Sequence, residues 1–134
     1  MPDAPVSYHL DRFRPILSPS GDMRLLEVTP TFYEDLGEHV PDFTGQILIQ
    51  QGEFSDPWPT WEIHPKGDEF VYLLSGDVDF VLWEDGKETV IRVNQDNHYV
   101  VVPKNTWHTA RPRSPTKMLF VTPGEGTLNA EQPG

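Results

Sequence analysis

The central part of the chain alternates apolar and polar residues in short runs, and this two-residue period is that of a half-buried β-strand. Turns rich in Gly, Asp and Asn separate the runs, and Asp85-Gly86 between two of them is typical of a tight hairpin. Many short strands at this spacing predict an all-β sandwich or barrel. The candidate strands, rich in β-branched and aromatic residues, are 23–28, 45–51, 61–64, 69–74, 78–84, 89–93, 99–102, 107–110 and 118–121.

One or two turns near residues 31–36 are the only helix that the pattern supports, because Thr31 can cap them and a glutamate follows three residues later. Residues 1–21 are interrupted by prolines and are predicted to form an extended N-terminal arm. Residues 123–134 are polar and are predicted to form a loose tail. The 134 residues suit one domain, which leaves residues 22–122 as the barrel.

Charge and composition exclude several classes of function. The formal net charge of −11 opposes binding to nucleic acid and to anionic membranes. Because there are no cysteines, a disulfide framework, a zinc ribbon, an iron–sulfur cluster and a thiol nucleophile are all excluded. The first residues lack the basic start and apolar core of a signal peptide. A cytoplasmic protein is therefore expected.

The segment around residues 62–69 concentrates the residues that could carry chemistry. Glu62 and His64 lie two apart on a candidate strand, so both project from the same face, about 7 Å apart along the strand. A Pro-Lys-Gly-Asp turn follows, and Glu69 opens the next strand, where it can come back beside His64. If the sheet closes, His108 can enter the same interior. Two imidazoles and one or two carboxylates suit a divalent transition metal.

Two spacings in this region resemble the motifs of the cupin superfamily. His64-x4-Glu69-x6-Gly76 is similar to the second half of the first cupin motif, although the first histidine of that motif is Glu62 here and its opening glycine is Asp56. The Glu62 difference changes the site rather than the scaffold.

The second resemblance lies downstream. Asn97-x5-Pro103-x-Asn105-x2-His108 is similar to the second cupin motif, with Asn97 and Asn105 at the two glycine positions and Pro112 at the closing asparagine. Asparagine tolerates positive φ almost as well as glycine, so both turns can form.

The resemblance implies a double-stranded β-helix, also called a jelly-roll barrel, that is usually a homodimer with a metal at its mouth. It implies that His64, Glu69 and His108 are metal ligands. Two interpretations of Glu62 stay open. It can be a fourth ligand, which gives a site with zero formal charge around a divalent ion, or it can act as a general acid or base beside a three-residue facial site.

The first functional hypothesis is a metalloenzyme that acts on a small organic substrate through one divalent transition metal (Fe, Mn, Ni or Zn). Dioxygenase is the leading activity, and isomerase and lyase follow closely, since a fold does not define a reaction. The alternative is a non-catalytic module that binds or senses a small ligand. A barrel that serves only protein interaction is a third possibility, and a large exposed apolar patch would indicate it.

Neighbouring residues add less specific expectations. Trp61 and Trp107 each adjoin a proposed ligand and should face away from the pocket. Trp58 can form the rim of the mouth or a surface anchor. Gln46 and Gln50 share a face of one strand and are candidate pocket residues.

Overall fold

A computed structural model describes residues 6–39 and 44–134, without the side chains of residues 37–39. Eleven strands and one short helix make up the described chain. The helix α1 spans Phe32–His39, slightly beyond the predicted turns at 31–36. The strands are β1 Phe13–Leu17, β2 Met23–Glu27, β3 Ile47–Phe54, β4 Trp61–Ile63, β5 Glu69–Ser75, β6 Val78–Glu84, β7 Lys87–Val93, β8 Tyr99–Val102, β9 His108–Pro112, β10 Thr116–Pro123 and β11 Leu128–Ala130.

The strands form two antiparallel sheets. One has six strands in the order β2-β1-β3-β10-β5-β8, and the other has five in the order β11-β4-β9-β6-β7. From β3 to β11 the chain passes repeatedly from one sheet to the other, with only β6 and β7 consecutive in the same sheet. This arrangement confirms the predicted all-β jelly-roll fold with one short helix.

Alternation along the strands fills the space between the sheets. In β10, for example, every second residue from Thr116 is buried and those between are partly exposed. The inward apolar side chains form one large cluster, in which Leu73, Phe80 and Met118 are completely buried. A smaller cluster of Ile16, Phe32 and Leu48 packs α1 against β1 and β3 of the six-stranded sheet.

Two turns have asparagine at positions where the second cupin motif has glycine. Asn97 and Asn105 have φ angles of 71° and 62°, so both asparagines adopt the left-handed conformation that was expected of them. Gly76 has a φ of 116°, and a Cβ there would lie 2.6 Å from the Pro115 carbonyl oxygen. The turn after β5 therefore requires glycine at that position.

Both predicted end segments contain strands that the pattern did not reveal. β1 lies within the predicted arm and pairs with β2 and β3, whereas residues 1–5 of that arm are outside the described chain. β11 lies within the predicted loose tail and pairs with β4, so the expectation of a loose tail is wrong at Leu128–Ala130. Pro15 interrupts the apolar pattern of β1, and β11 is only three residues long, which makes both signals weak.

No helix among the described residues is long and apolar enough to cross a membrane.

Candidate metal centre

The five-stranded sheet brings three of the predicted site residues together. Glu62 in β4 lies directly opposite His108 in β9, so the two side chains are cross-strand neighbours on the inward face. His64 follows the end of β4. Its carbonyl oxygen accepts a hydrogen bond of 3.0 Å from the amide of Asn105, in the turn before β9. This bond ties the two turns of the motif-like segments to each other.

The six-stranded sheet supplies the fourth residue. Glu69 is the first residue of β5, and its side chain is only 3% exposed. Thr122, on the neighbouring strand β10, donates a hydrogen bond of 2.7 Å to Glu69 Oε2. The carboxylate therefore crosses the interior toward the residues of the opposite sheet and is fixed from behind by its own sheet.

We call Glu62, His64, Glu69 and His108 the acid–histidine cluster. His64 Nε2 lies 3.0 Å from Glu62 Oε1 and 3.3 Å from Glu69 Oε2, and His108 Nε2 lies 3.2 Å from Glu69 Oε1. One potential ligand atom from each of the four residues lies within 4.8 Å of all the others. The structure thus brings together every residue that the sequence predicts for a metal site.

Hydrogen bonds at the far side of each imidazole fix which nitrogen faces the cluster. His64 Nδ1 lies 2.8 Å from the Thr127 hydroxyl, which itself donates to the Gly124 carbonyl. His108 Nδ1 lies 3.1 Å from the Thr106 carbonyl, which can only accept. Both Nδ1 atoms therefore carry hydrogen, so each ring, when neutral, presents the lone pair of Nε2 to the interior.

Three buried atoms of the cluster have no hydrogen-bond partner among the described residues: His64 Nε2, Glu69 Oε1 and His108 Nε2. Unpaired polar atoms are costly in an interior and are rare in native proteins. Here they lie within ion-pair distance of one another or of Glu62, at 3.0 to 3.3 Å, but form no hydrogen bond. Donors of this type and arrangement fit a divalent transition metal, which would satisfy all three at once.

The electrostatics of the metal-free cluster are dominated by burial and by the mutual attraction of its members. Burial lowers the pKa of His64, but the carboxylates of Glu62 and Glu69 more than offset this and raise it to about 9. Burial raises the pKa of Glu69, but His108 and His64 more than offset this and lower it to about 2. Without a metal, a proton on His64 therefore takes the position of the cation.

A cavity of about 340 Å³ opens onto the cluster at Glu62 and Glu69. Glu62 is the most accessible member, with 30% of its side chain exposed, against 3% or less for the other three. A smaller cavity of about 120 Å³ reaches Glu62 and His64 from the side of α1. The Tyr33 hydroxyl of α1 donates to Gln50 Oε1, and both residues line both cavities.

The aromatic and amide side chains near the cluster occupy partly expected positions. Trp58 lines the larger cavity, with its ring 6.4 Å from that of His108, so it belongs to the mouth. Gln50 lines the cavity as expected, whereas Gln46 is buried and does not line it. Trp61 faces away from the cluster and packs against Trp83 at a ring distance of 6.0 Å.

Several residues around the cluster were not found by sequence reasoning. Thr122 and Thr127 orient a carboxylate and an imidazole, and Arg14 and Tyr33 line the cavity. Threonines in strands and turns and an arginine in a proline-containing segment are common, so nothing in the sequence distinguishes these four from other polar residues. Their positions depend on β1, α1 and the segment before β11.

Comparison with protein families identifies the scaffold. The cupin domain family matches residues 45–122, which is more than half of the chain. The chain therefore belongs to the cupin family, as the two motif-like spacings predicted. No curated protein sequence matches it.

Solved structures share the fold at low sequence identity. An oxalate oxidase in complex with the substrate analogue glycolate is 14% identical, with a TM-score of 0.52 over 61% of this chain and 45% of its own. A Bacillus subtilis oxalate decarboxylase studied for its Mn(II) centres is 17% identical, with a TM-score of 0.53 over 63% of this chain and 23% of its own. This chain thus spans less than half the length of either protein, and the likeness concerns the barrel alone.

Proposed function

We propose that the acid–histidine cluster binds one divalent transition metal and that the protein is a metalloenzyme acting on a small organic substrate. The observation that supports this most strongly is the convergence, beside an open cavity, of three buried ligand atoms that lack a hydrogen-bond partner among the described residues. Pockets of a few hundred Å³ that combine apolar walls with a few polar groups are typical of small-molecule sites.

Dioxygenase activity is the leading candidate, and isomerase and lyase activities are the next. A bound iron, manganese or nickel ion would supply a site for oxygen or for an anionic oxygen of the substrate, and zinc would supply a Lewis acid only. The oxalate decarboxylase that shares the barrel fold has Mn(II) centres, which makes manganese the first choice for reconstitution. Trp58 and Phe120 would exclude water from one wall of the cavity.

Glu62 has two possible roles, and we favour ligation. Its Oε1 is 3.0 Å from His64 Nε2, at the same point toward which the other ligand atoms are directed. With Glu69 it would neutralise a divalent ion, which would leave a weaker Lewis acid than three histidines and one glutamate. Its 30% exposure to the cavity supports the alternative, in which it transfers a proton to or from the substrate.

Metal analysis tests the proposal directly. The protein is stripped with a chelator and reconstituted anaerobically with Fe(II), Mn(II), Ni(II) or Zn(II), and bound metal is counted by mass spectrometry before and after exposure to air. One ion per chain is expected for the natural protein and for a His98→Ala control, whose imidazole is exposed. Little bound metal after every reconstitution would refute the metalloenzyme proposal.

The Glu62→Gln variant separates the two roles of Glu62. If Glu62 is a ligand, the variant should bind the metal more weakly in a chelator competition. Unchanged metal affinity together with loss of turnover, once a substrate is known, would instead favour the acid–base role. The amide is nearly isosteric with the carboxylate, so packing is conserved in this test.

A non-catalytic ligand-binding module is the second candidate, and the metal-free cluster favours it. A protonated His64 between two carboxylates is electrostatically compensated without any metal, as its pKa of about 9 indicates. Such a protein could fold and bind small molecules in the cavity in its metal-free form. Ligand binding that is unaffected by chelation, combined with the absence of a metal-dependent spectral change in air, would favour this candidate.

Homodimer formation is also part of the proposal, and the outer face of the six-stranded sheet supports it. One row of side chains across four strands of this face is entirely apolar: Ile49, Val121, Phe70 and Val101. Val101 and the nearby Tyr99 are 49% and 58% exposed. Contiguous exposed apolar surface of this kind usually marks an interaction site.

Light scattering on purified protein gives the oligomeric state. A dimer is expected for the natural protein, and Val101→Glu should shift it toward the monomer because a charge would be buried in the interface. Val90→Glu is the matched control, since Val90 is similarly exposed, at 52%, but lies in β7 of the other sheet. A monomeric natural protein, or equal effects of the two variants, would contradict this interface.

A further inference from the structure

Arg14 is unusual because its side chain enters the cavity with neither a hydrogen-bond partner nor an ion-pair partner among the described residues. It lies on β1 and lines the same cavity as Glu62 and Glu69. Its Nε atom is buried and has no hydrogen-bond partner among the described residues. No described carboxylate lies within ion-pair distance of its guanidinium, although the chain has 21 acidic and only 10 basic residues.

The arginines of the five-stranded sheet show the contrast. Each of them forms an ion pair with a carboxylate of the same sheet or its turns, at 2.7 to 3.1 Å, although all are about half exposed: Arg92 with Asp77, Arg111 with Glu88 and Arg113 with Asp79. Exposed ion pairs of this kind contribute little to stability. The less exposed Arg14 would gain more from a partner, and the described protein provides none.

Aromatic rings hold the Arg14 guanidinium in place. Its Cζ atom lies 4.7 Å from the centre of the Phe32 ring and 5.4 Å from that of the Tyr33 ring, both on α1. Stacking of this kind restrains a planar guanidinium and leaves its N–H groups free to donate at its edge. The side chain is therefore positioned in advance for an acceptor in the cavity.

The surroundings indicate which acceptor would fit. The Tyr33 hydroxyl donates a hydrogen bond to Gln50 Oε1, so the N–H groups of the Gln50 side chain are left to donate to a ligand on the same wall. Phe120 and Trp58 give the cavity an apolar wall. Guanidinium groups match carboxylates in geometry and can donate two parallel hydrogen bonds to them.

We propose that Arg14 is a specificity-determining residue that binds the carboxylate of a small organic acid with an apolar body. The proposal deepens the proposed function, on which it rests for the presence of a metal beside the acid. Glu62 and Glu69 would neutralise a divalent ion, so the positive charge of Arg14 would be the uncompensated charge of the cavity. A monoanion would balance it, whereas a neutral or cationic ligand would not.

The test is calorimetric titration with two acids, benzoate and hexanoate, and with their neutral amides, benzamide and hexanamide. At least one acid should bind to the natural protein, and its amide should bind at least about tenfold more weakly because it cannot form the charged pair. Arg14→Gln should weaken binding of the acid by a similar factor and leave binding of the amide unchanged. Arg12→Gln removes the same charge from an exposed neighbouring position and should have no effect.

Two further measurements keep the test decisive. Circular dichroism checks that Arg14→Gln folds, and Arg14→Lys, which keeps the charge but loses the planar fork, should bind the acid with intermediate affinity. Equal affinity of the acid for Arg14→Gln and Arg12→Gln would overturn the proposal, and so would failure of both acids to bind the natural protein.

All titrations are performed with metal-loaded and with metal-free protein, and the metal content of each sample is counted. Binding that depends on Arg14 in a protein that takes up no metal would support the carboxylate site and refute the metalloenzyme proposal. Normal metal content, together with acid binding that is the same with and without Arg14, would support the metal site and refute the carboxylate site. The two proposals can therefore fail separately.

Discussion

The two ends of the barrel interior are built from the same strands and differ in almost every other respect. β5 begins at one end with Glu69 and reaches the other with Leu73, and β10 runs from Met118 back to Thr122. At the polar end, buried atoms lack partners and a cavity opens to the outside. At the apolar end, the inward side chains pack into one cluster whose buried members are at most 8% exposed. One alternating pattern thus provides the packed core at one end and the candidate metal site at the other.

The largest effect on stability is expected at the apolar end. Leu73→Ala removes a fully buried side chain and should lower the free energy of unfolding by about 2–5 kcal/mol, through lost burial and the cavity that remains. Urea unfolding of the metal-free protein measures this, with Leu74→Ala on the opposite face as the control. If the two ends are independent, the folded variant should bind as much metal as the natural protein.

The next effect belongs to the polar end. His108→Ala removes a proposed ligand and should reduce metal affinity by more than about 100-fold, since loss of an outer hydrogen bond alone typically costs 10- to 100-fold. Competition with a chelator measures the affinity, and His98→Ala again provides the surface control. Equal metal affinity of the two variants would mean that the cluster does not hold the ion.

A smaller effect on metal affinity is expected at Thr127, which is hydrogen-bonded to His64 of the cluster. Thr127→Val removes the acceptor of His64 Nδ1–H and should weaken metal binding by about 10- to 100-fold, because the ring loses its orientation and its tautomer is no longer fixed. Thr127→Ser retains the hydroxyl and should bind as the natural protein does. If valine and serine behave alike, the contact has no role in metal binding.

The smallest effect on metal affinity is expected from a change of one pH unit. In the metal-free protein His64 has a pKa of about 9, so near neutral pH a metal must displace its proton. Affinity should therefore rise with pH by up to about tenfold per unit and level off near pH 9. The pH-dependence of chelator competition, or proton release on binding, measures this, and a flat profile between pH 7 and 9 would contradict it.

The same group should affect the metal-free stability in the opposite direction. Because its folded pKa is raised from 6.5 to about 9, His64 stabilises the metal-free fold fully below pH 6.5. This contribution is lost as the pH rises through 9. The free energy of unfolding at the two pH values, compared with that of His64→Gln, isolates the effect.

Much of the architecture could be predicted because it depends on local patterns. The two-residue alternation located the strands from 23 to 121, and two asparagines accepted positive φ at turns where glycine was expected. The spacing from His64 to Glu69 sufficed to place both in one interior, because a strand, a turn and the next strand leave few other arrangements. Metal binding by these residues stays a prediction.

The contributions of the chain ends could not be predicted. β1 contains Pro15, and β11 has only three residues, so each is stable only through the sheet that it joins. Arg14 reaches the cavity because Ile16 anchors β1 against Leu48, a contact between segments about thirty residues apart in sequence. Long-range pairings of this kind leave no periodic trace in either segment.

The position of β11 affects how the metal site of such a protein could diverge in evolution. Its pairing with β4 sets Thr127 behind His64, so the segment after the barrel adjusts a buried imidazole that it does not itself flank in sequence. Substitutions there can alter the basicity of the site while every proposed ligand is conserved. Two proteins with identical motifs could therefore differ in the metal they prefer through a region where alignments are usually least informative.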